Sequence, residues 1–308
     1  MHKDPAKEPS PTMFLRLLIV LLAFLVAPPL PAAGPARPTS EEAEGPVAAE
    51  PGPWPPAVPH WTPPPPFSLL FDNGPLVNNP GGGAGGADES MVQESTLGMS
   101  TIGFGNQRRF EQRLADDFTV PAYTYWQIEK ITFFQYQTGS THESTITSLN
   151  YRIWDGPPAA PRSRIVFGDG HTNRIISAQW SGIYRVREPI SGFATDRPVM
   201  ALETSCEVLL FPGTYWIDWQ ADGTLLSGPW VPPVTVPGVT ETGNALQSAT
   251  DGHLWQPATD GGSEARQGLP FLIEGTIGSA AEIPTLQPGA LAVLALLLAV
   301  AGWRRLSS

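Results

Sequence analysis

The sequence predicts an all-β fold, an antiparallel β-sandwich of jelly-roll-like kind, for residues 68–278. Three observations predict it. Turn dipeptides are dense there: Asn73-Gly74, Asp155-Gly156, Asp169-Gly170, Asp222-Gly223, Asp251-Gly252 and Asp260-Gly261. Asn-Gly and Asp-Gly favour tight turns because these residues tolerate positive φ. Between the turns lie short segments rich in β-branched and aromatic residues, at 128–137, 149–154, 183–186, 199–203, 214–220 and 269–277, the composition of a half-buried pleated strand. In the last of them Leu269, Phe271, Ile273 and Ile277 alternate with Pro270, Leu272, Glu274 and Thr276, a period of two and not of 3.6. No long window carries a helical apolar stripe, and no internal repeat points to a propeller or solenoid.

From the N-terminus, residues 1–33 read as a signal peptide. Arg16 precedes an apolar run at 17–27, and Pro28-Pro29-Leu30-Pro31-Ala32-Ala33 follows. Small residues after such a run mark a cleavage site, expected here after Ala33. Met1 and Met13 both serve as candidate starts, since Met13-Phe14-Leu15-Arg16 opens a more compact leader. Residues 34–67 are then dominated by proline, closing on Pro63-Pro64-Pro65-Pro66, with Glu41, Glu42, Glu44 and Glu50 giving an acidic bias. Proline removes backbone donors and favours polyproline II, so this stretch is expected to be a disordered linker that reaches roughly 100 Å when extended.

Charge and cysteine narrow the classes open to the sandwich region. A net charge of −11 makes a phosphate-backbone partner such as nucleic acid an unsuitable match. Cys206 is the single cysteine, which excludes an internal disulfide and a cysteine-based zinc cluster. It stands near Val208, Leu209 and Leu210 and reads as a small buried hydrophobe. His142, His171 and His253 lack metal-binding spacing. The glycine run at 80–87 lacks the terminal Gly-Lys-Ser/Thr of a phosphate loop and reads as a surface loop.

Two groups of residues are candidate sites. Asp116-Asp117 precedes Phe118-Thr119-Val120, which puts two hard oxygen ligands at an expected strand entrance. Calcium chelation, half of a glycosidase acid pair, and plain turn chemistry all fit that pair. In Tyr215-Trp216-Ile217-Asp218-Trp219-Gln220, strand alternation sends Tyr215, Ile217 and Trp219 to one face, expected to be core. Trp216, Asp218 and Gln220 share the other. An aromatic beside a carboxylate and an amide is the surface that stacks a sugar ring and bonds its hydroxyls, and Trp154 and Trp230 could extend it. The competing reading is that Trp216 packs under a loop.

The last segment, 279–308, holds Ile283-Pro284-Thr285-Leu286, an apolar run at 290–303, and Arg304-Arg305. Counting from Leu286, the run reaches roughly 27 Å as a helix, enough to cross a bilayer core at low tilt. The arginine pair would stay cytoplasmic, leaving everything before it outside.

This tail resembles the IPTL-type C-terminal sorting domains, relatives of the PEP-CTERM signals, through that motif, the apolar run and the terminal arginines. It departs from them in continuing with Gln287-Pro288-Gly289. The resemblance implies an exosortase-type processing protease as partner, cleavage near the motif, an inner-membrane-anchored intermediate, and delivery to the cell surface or extracellular matrix. Phe71-Asp72-Asn73-Gly74-Pro75-Leu76, the glycine run, Gly103-Phe104-Gly105, Ala115-Asp116-Asp117-Phe118, Ile153-Trp154-Asp155-Gly156-Pro157 and Ser227-Gly228-Pro229-Trp230 together resemble a group of uncharacterised secreted bacterial proteins. That second resemblance implies an extracellular β-sandwich and no activity. The expectation is a non-enzymatic structural or adhesive envelope protein. The alternatives are a polysaccharide-binding module and an extracellular hydrolase using Asp116 or Asp117.

Overall fold

The computed structural model describes the backbone of Ser40–Glu42 and residues 67–279. The leader, the rest of the proline-rich stretch and the tail, including Ile283-Pro284-Thr285-Leu286, Arg304 and Arg305, lie outside the described residues. Strands run through the chain as β1 (Ser40–Glu42), β2 (Ser68–Asp72), β3 (Asp88–Val92), β4 (Thr101–Gly105) and β5 (Arg113–Val120). They continue as β6 (Thr124–Gln135), β7 (Ile146–Trp154), β8 (Ile165–Gly168), β9 (Ile175–Arg187) and β10 (Pro198–Leu210). The last are β11 (Gly213–Gly223), β12 (Trp230–Val231), β13 (Leu246–Ser248), β14 (Gln256–Pro257) and β15 (Phe271–Ser279). Among the described residues the α-helix is a single turn, Glu94–Leu97, and no helix is long and apolar enough to cross a membrane.

The strands form two six-stranded sheets. Sheet I has the order β2-β15-β6-β10-β9-β3 and sheet II the order β14-β13-β5-β11-β7-β8, with a small third sheet β1-β4-β12 beside them. Neighbours are antiparallel except β3, which pairs parallel to β9. The expected all-β, antiparallel character is therefore present. Ser40–Glu42 pairs with β4, so three residues of the proline-rich stretch have a sheet partner where a free spacer was expected. They lie ahead of its densest prolines, and their own sequence, Ser-Glu-Glu, keeps every backbone donor.

Alternation places the core between the sheets. Ile128, Ile131, Phe133, Met200, Leu202, Phe271 and Ile273 from sheet I meet Leu114, Phe118, Leu149, Tyr151, Ile153, Ile217 and Trp219 from sheet II. Cys206 lies in this core, and burial pushes its thiol up to about 12, which makes it a small hydrophobe as expected. A second apolar cluster covers the outer side of sheet I, where Leu76, Val92, Met99 and Ile102 pack on Phe134, Val199, Ala201 and Leu272. At one end, two short connections pass from sheet to sheet side by side. β5 turns into β6, and β10 turns into β11, while β5 neighbours β11 and β6 neighbours β10.

β6 carries an extra residue, Glu129, at a bulge: Lys130 faces Glu274 and Ile128 faces Gly275. A Cβ on Gly275 would stand 2.0 Å from the Gln127 carbonyl oxygen, so glycine is required there. The glycine run at 80–87 is tucked against buried acids. The Gly81 amide donates to Asp88 at 2.8 Å, and Glu89 accepts from Asn79 Nδ2 at 2.6 Å, Ser191 Oγ at 2.5 Å and the Gly192 amide at 2.7 Å. These contacts tie the start of the run into the fold.

Candidate functional site

The outer face of sheet II carries the most concentrated polar chemistry among the described residues. β11 presents Trp216, Asp218 and Gln220 there, and the β7 register sets Trp154, Arg152 and Asn150 directly opposite them. β5 adds Asp117 beside Trp216 and Ala115 beside Asp218. Asp218 is the hub. Arg113 Nε donates to its Oδ1, Arg152 Nε to Oδ2 at 2.9 Å, and the Trp154 indole N–H to Oδ2. Arg113 continues the network to Asn150 Oδ1 at 3.0 Å and pairs with Asp251 at 3.5 Å. Gln220 Nε2 donates to the same Asp251 oxygen at 2.9 Å.

The network lies beneath the segment between β13 and β14. Gly252 adopts φ 85, and a Cβ added there would meet Arg152 at 2.8 Å and the Trp255 ring at 3.3 Å. That close approach explains why an Asp-Gly pair stands at this turn. Asp218 is 0% exposed, Gln220 2% and Trp216 7%. Alternation groups these three side chains on one face as expected, and their burial favours the packed reading over an open sugar platform. Trp154 and Arg152 remain partly accessible, with the Arg152 guanidinium 5.2 Å from the Trp154 ring centroid, the spacing of a cation–π contact. Burial draws Arg113 below the usual arginine range and Asp218 opposes that; a guanidinium stays charged even so. Trp230, the other proposed extension of the platform, belongs instead to the outer cluster of sheet I.

Asp116 and Asp117 do not form a chelating pair. They sit within β5 and not at its entrance, and adjacent strand residues face opposite sides. Asp116 pairs with Ile217 on the inner face, and Asp117 with Trp216 on the outer face. Asp116 is 1% exposed and accepts from Asn73 Nδ2 and the Leu269 amide at 2.8 Å each and from the Asp117 amide at 2.9 Å. Its oxygens are thus turned to donors, and calcium through this pair has no common point to occupy. Among the described residues no group of three or more His, Cys, Asp or Glu side chains could hold a metal ion.

Burial pushes Asp116 up to about 7, against the pull of those three donors. A carboxyl whose folded value lies above its unfolded one holds its proton longer when folded. Stability from this group is therefore greatest below about pH 4 and falls as pH rises to about 7, by up to about 1.4 kcal/mol per pH unit. Urea titrations from pH 4 to 8 should show this slope in the native chain and a flatter one in Asp116→Asn. Equal slopes would mean that Asp116 titrates normally.

Other polar clusters are internal to the scaffold. Lys130 Nζ lies 2.7 Å from Glu203 and 2.9 Å from Glu274 on the outer side of sheet I. Asp260 accepts from the Thr101 amide at 2.9 Å and the Ser263 amide at 2.8 Å, tying the approach to β4 to the turn before β15. His142 stacks on Trp180 at 3.6 Å and contacts the Tyr184 hydroxyl at 2.6 Å. A cleft of about 260 Å³ on the outer side of sheet I is lined by Asp72, Leu76, Asp88, Phe134, Ser181 and Leu272 among others; burial raises Asp72 there. Arg113, Arg152 and Asp251 were not foreseen as site residues, and only the Asp251-Gly252 turn signal pointed near them. Comparison with protein-family models, curated proteins and solved structures yields no match.

Proposed function

We propose that the chain is a secreted, non-enzymatic β-sandwich protein, anchored in the inner membrane by its C-terminal segment and then sorted to the cell surface or matrix, where it is a structural or adhesive component. The jelly-roll-like description belongs to the same reading, supported by the paired connections that pass between the two sheets. One observation carries the functional part. The buried carboxylates Glu89, Asp116, Asp218 and Asp260 each accept hydrogen bonds from three or more donors belonging to the fold. Acids committed in this way lock strands and loops together, which is the work of a durable surface scaffold.

The sorting part rests on the order of motif, apolar run and arginine pair in the tail. Mass spectrometry of the surface-exposed protein should find a new C-terminus near Ile283-Pro284-Thr285-Leu286. A surface form ending in intact Arg304-Arg305-Leu306-Ser307-Ser308 would overturn sorting while leaving anchoring in place.

A second reading, polysaccharide binding, has one specific observation in its favour: Trp154 stays partly open beside Arg152, with the half-buried Asp117 on the far side of Trp216. A glycan array probed with the full chain and with Trp154→Ala tests it. A glycan retained by the first and lost by the second supports binding, and an array with no retained glycan removes the reading.

A further inference from the structure

One end of the sandwich carries large apolar side chains that the fold does not use. Tyr123 is 80% exposed, Phe211 59%, Ile277 58% and Leu209 46%. The topology puts them together: Tyr123 stands in the β5–β6 connection and Phe211 in the adjacent β10–β11 connection. Ile277 shares a row with Trp126 and Leu210, and Ser279 pairs with Thr124. The β7–β8 turn opens at the same end, since Trp154 pairs with both Trp216 and Ile165, and it holds the exposed Arg162 and Arg164.

Position 123 adds an independent observation. Its φ is 63, the left-handed region that bulky residues rarely enter. It is the third residue of the turn Pro121-Ala122-Tyr123-Thr124, closed by the Thr124 amide on the Pro121 carbonyl at 3.3 Å. Glycine or asparagine is the usual occupant of such a position. Folding alone selects a small residue there, so a projecting phenol ring answers to something outside the fold.

The chain itself indicates what that is. It leaves the sandwich at this end, and residues 280–285 separate Ser279 from Leu286, where the run long enough to cross a bilayer begins. Six residues span at most about 21 Å, so in the anchored state this end is tethered to the bilayer at high effective concentration. We propose that the end formed by Tyr123, Phe211, Ile277 and Leu209 seats in the lipid interface while the chain is membrane-anchored. Aromatic and aliphatic groups enter the boundary between headgroups and acyl chains, and Arg162 and Arg164 meet lipid phosphates. The inference rests on the anchored reading above.

The test uses the full chain reconstituted into phosphatidylcholine vesicles, with an environment-sensitive fluorophore on Tyr123→Cys, Phe211→Cys or, as control, Leu226→Cys. Leu226 is 89% exposed and follows the far end of β11. The buried Cys206 stays unlabelled. In chains that float with vesicles, labels at 123 and 211 should shift to the blue and be quenched by acyl-brominated phosphatidylcholine, while the label at 226 does neither. If the chain floats and the labels at 123 and 211 behave like that at 226, the membrane seat is wrong and the anchor stands. If the chain does not float, both fall.

Discussion

Trp219→Ala is expected to lower the unfolding free energy by about 3–5 kcal/mol, the range for truncating a fully buried large aromatic. Trp219 is 0% exposed. Its ring lies 5.1 Å from Phe133 and 6.2 Å from Phe271, so it spans the gap between the sheets. Trp216, three residues earlier and on the opposite face, joins none of the apolar clusters and neighbours Trp154 and Asp117. Its truncation should cost less, about 1–3 kcal/mol. Trp219→Phe sharpens the comparison. The Trp219 indole N–H has no acceptor among the described residues, so phenylalanine gives up some packing but also removes an unmet donor, and most of the stability should remain. Urea unfolding followed by far-ultraviolet circular dichroism measures all three. Equal losses for Trp216→Ala and Trp219→Ala would place both rings in load-carrying packing and remove the distinction between the two faces.

That distinction is legible in the sequence. Alternation in Tyr215-Trp216-Ile217-Asp218-Trp219-Gln220 assigns each side chain to the face it occupies, because period two survives wherever no bulge intervenes. The alternation at 269–277 holds for the same reason: the extra residue of the bulge belongs to β6. Polar strands were not legible. β3 opens Asp-Glu-Ser, and β5 runs through Asp116-Asp117, residues depleted in strands generally. Their pairing is decided by partners distant in sequence, such as β9 for β3 and Leu269 for Asp116. The cover over Asp218 was hidden for a related reason. Alternation tells which residues share a face, but whether that face meets water depends on where the chain lays a later segment, here the turn holding Asp251 and Gly252.

Asp218→Asn is expected to cost about 3–5 kcal/mol, as much as the tryptophan truncation and by a different route. The substitution keeps the size of the side chain and removes the one carboxylate that serves Arg113, Arg152 and Trp154 together. Arg113 is 0% exposed, so its charge is left inside the protein with Asp251 at 3.5 Å as its nearest acid. Stranding one partner of a buried ion pair carries a penalty of that size. Asp251→Asn should cost under about 1 kcal/mol, because that carboxylate is half open to solvent, where screening weakens the pair. Replacing both buried partners, Arg113→Met with Asp218→Leu, removes the stranded charge. The double variant should then lose clearly less than the sum of the two single losses, with a coupling of about 1–3 kcal/mol. Recovery should stop short of the native value, since Arg152, Trp154 and Asn150 still lose partners. Limited proteolysis provides the second readout. Because the network ties the segment between β13 and β14 to the sheet, Asp218→Asn should speed cleavage near Leu254 more than Asp251→Asn does. Additive stabilities with unchanged cleavage would mean that the loop is held by packing around Gly252 and Trp255, and that the charges beneath it are passengers.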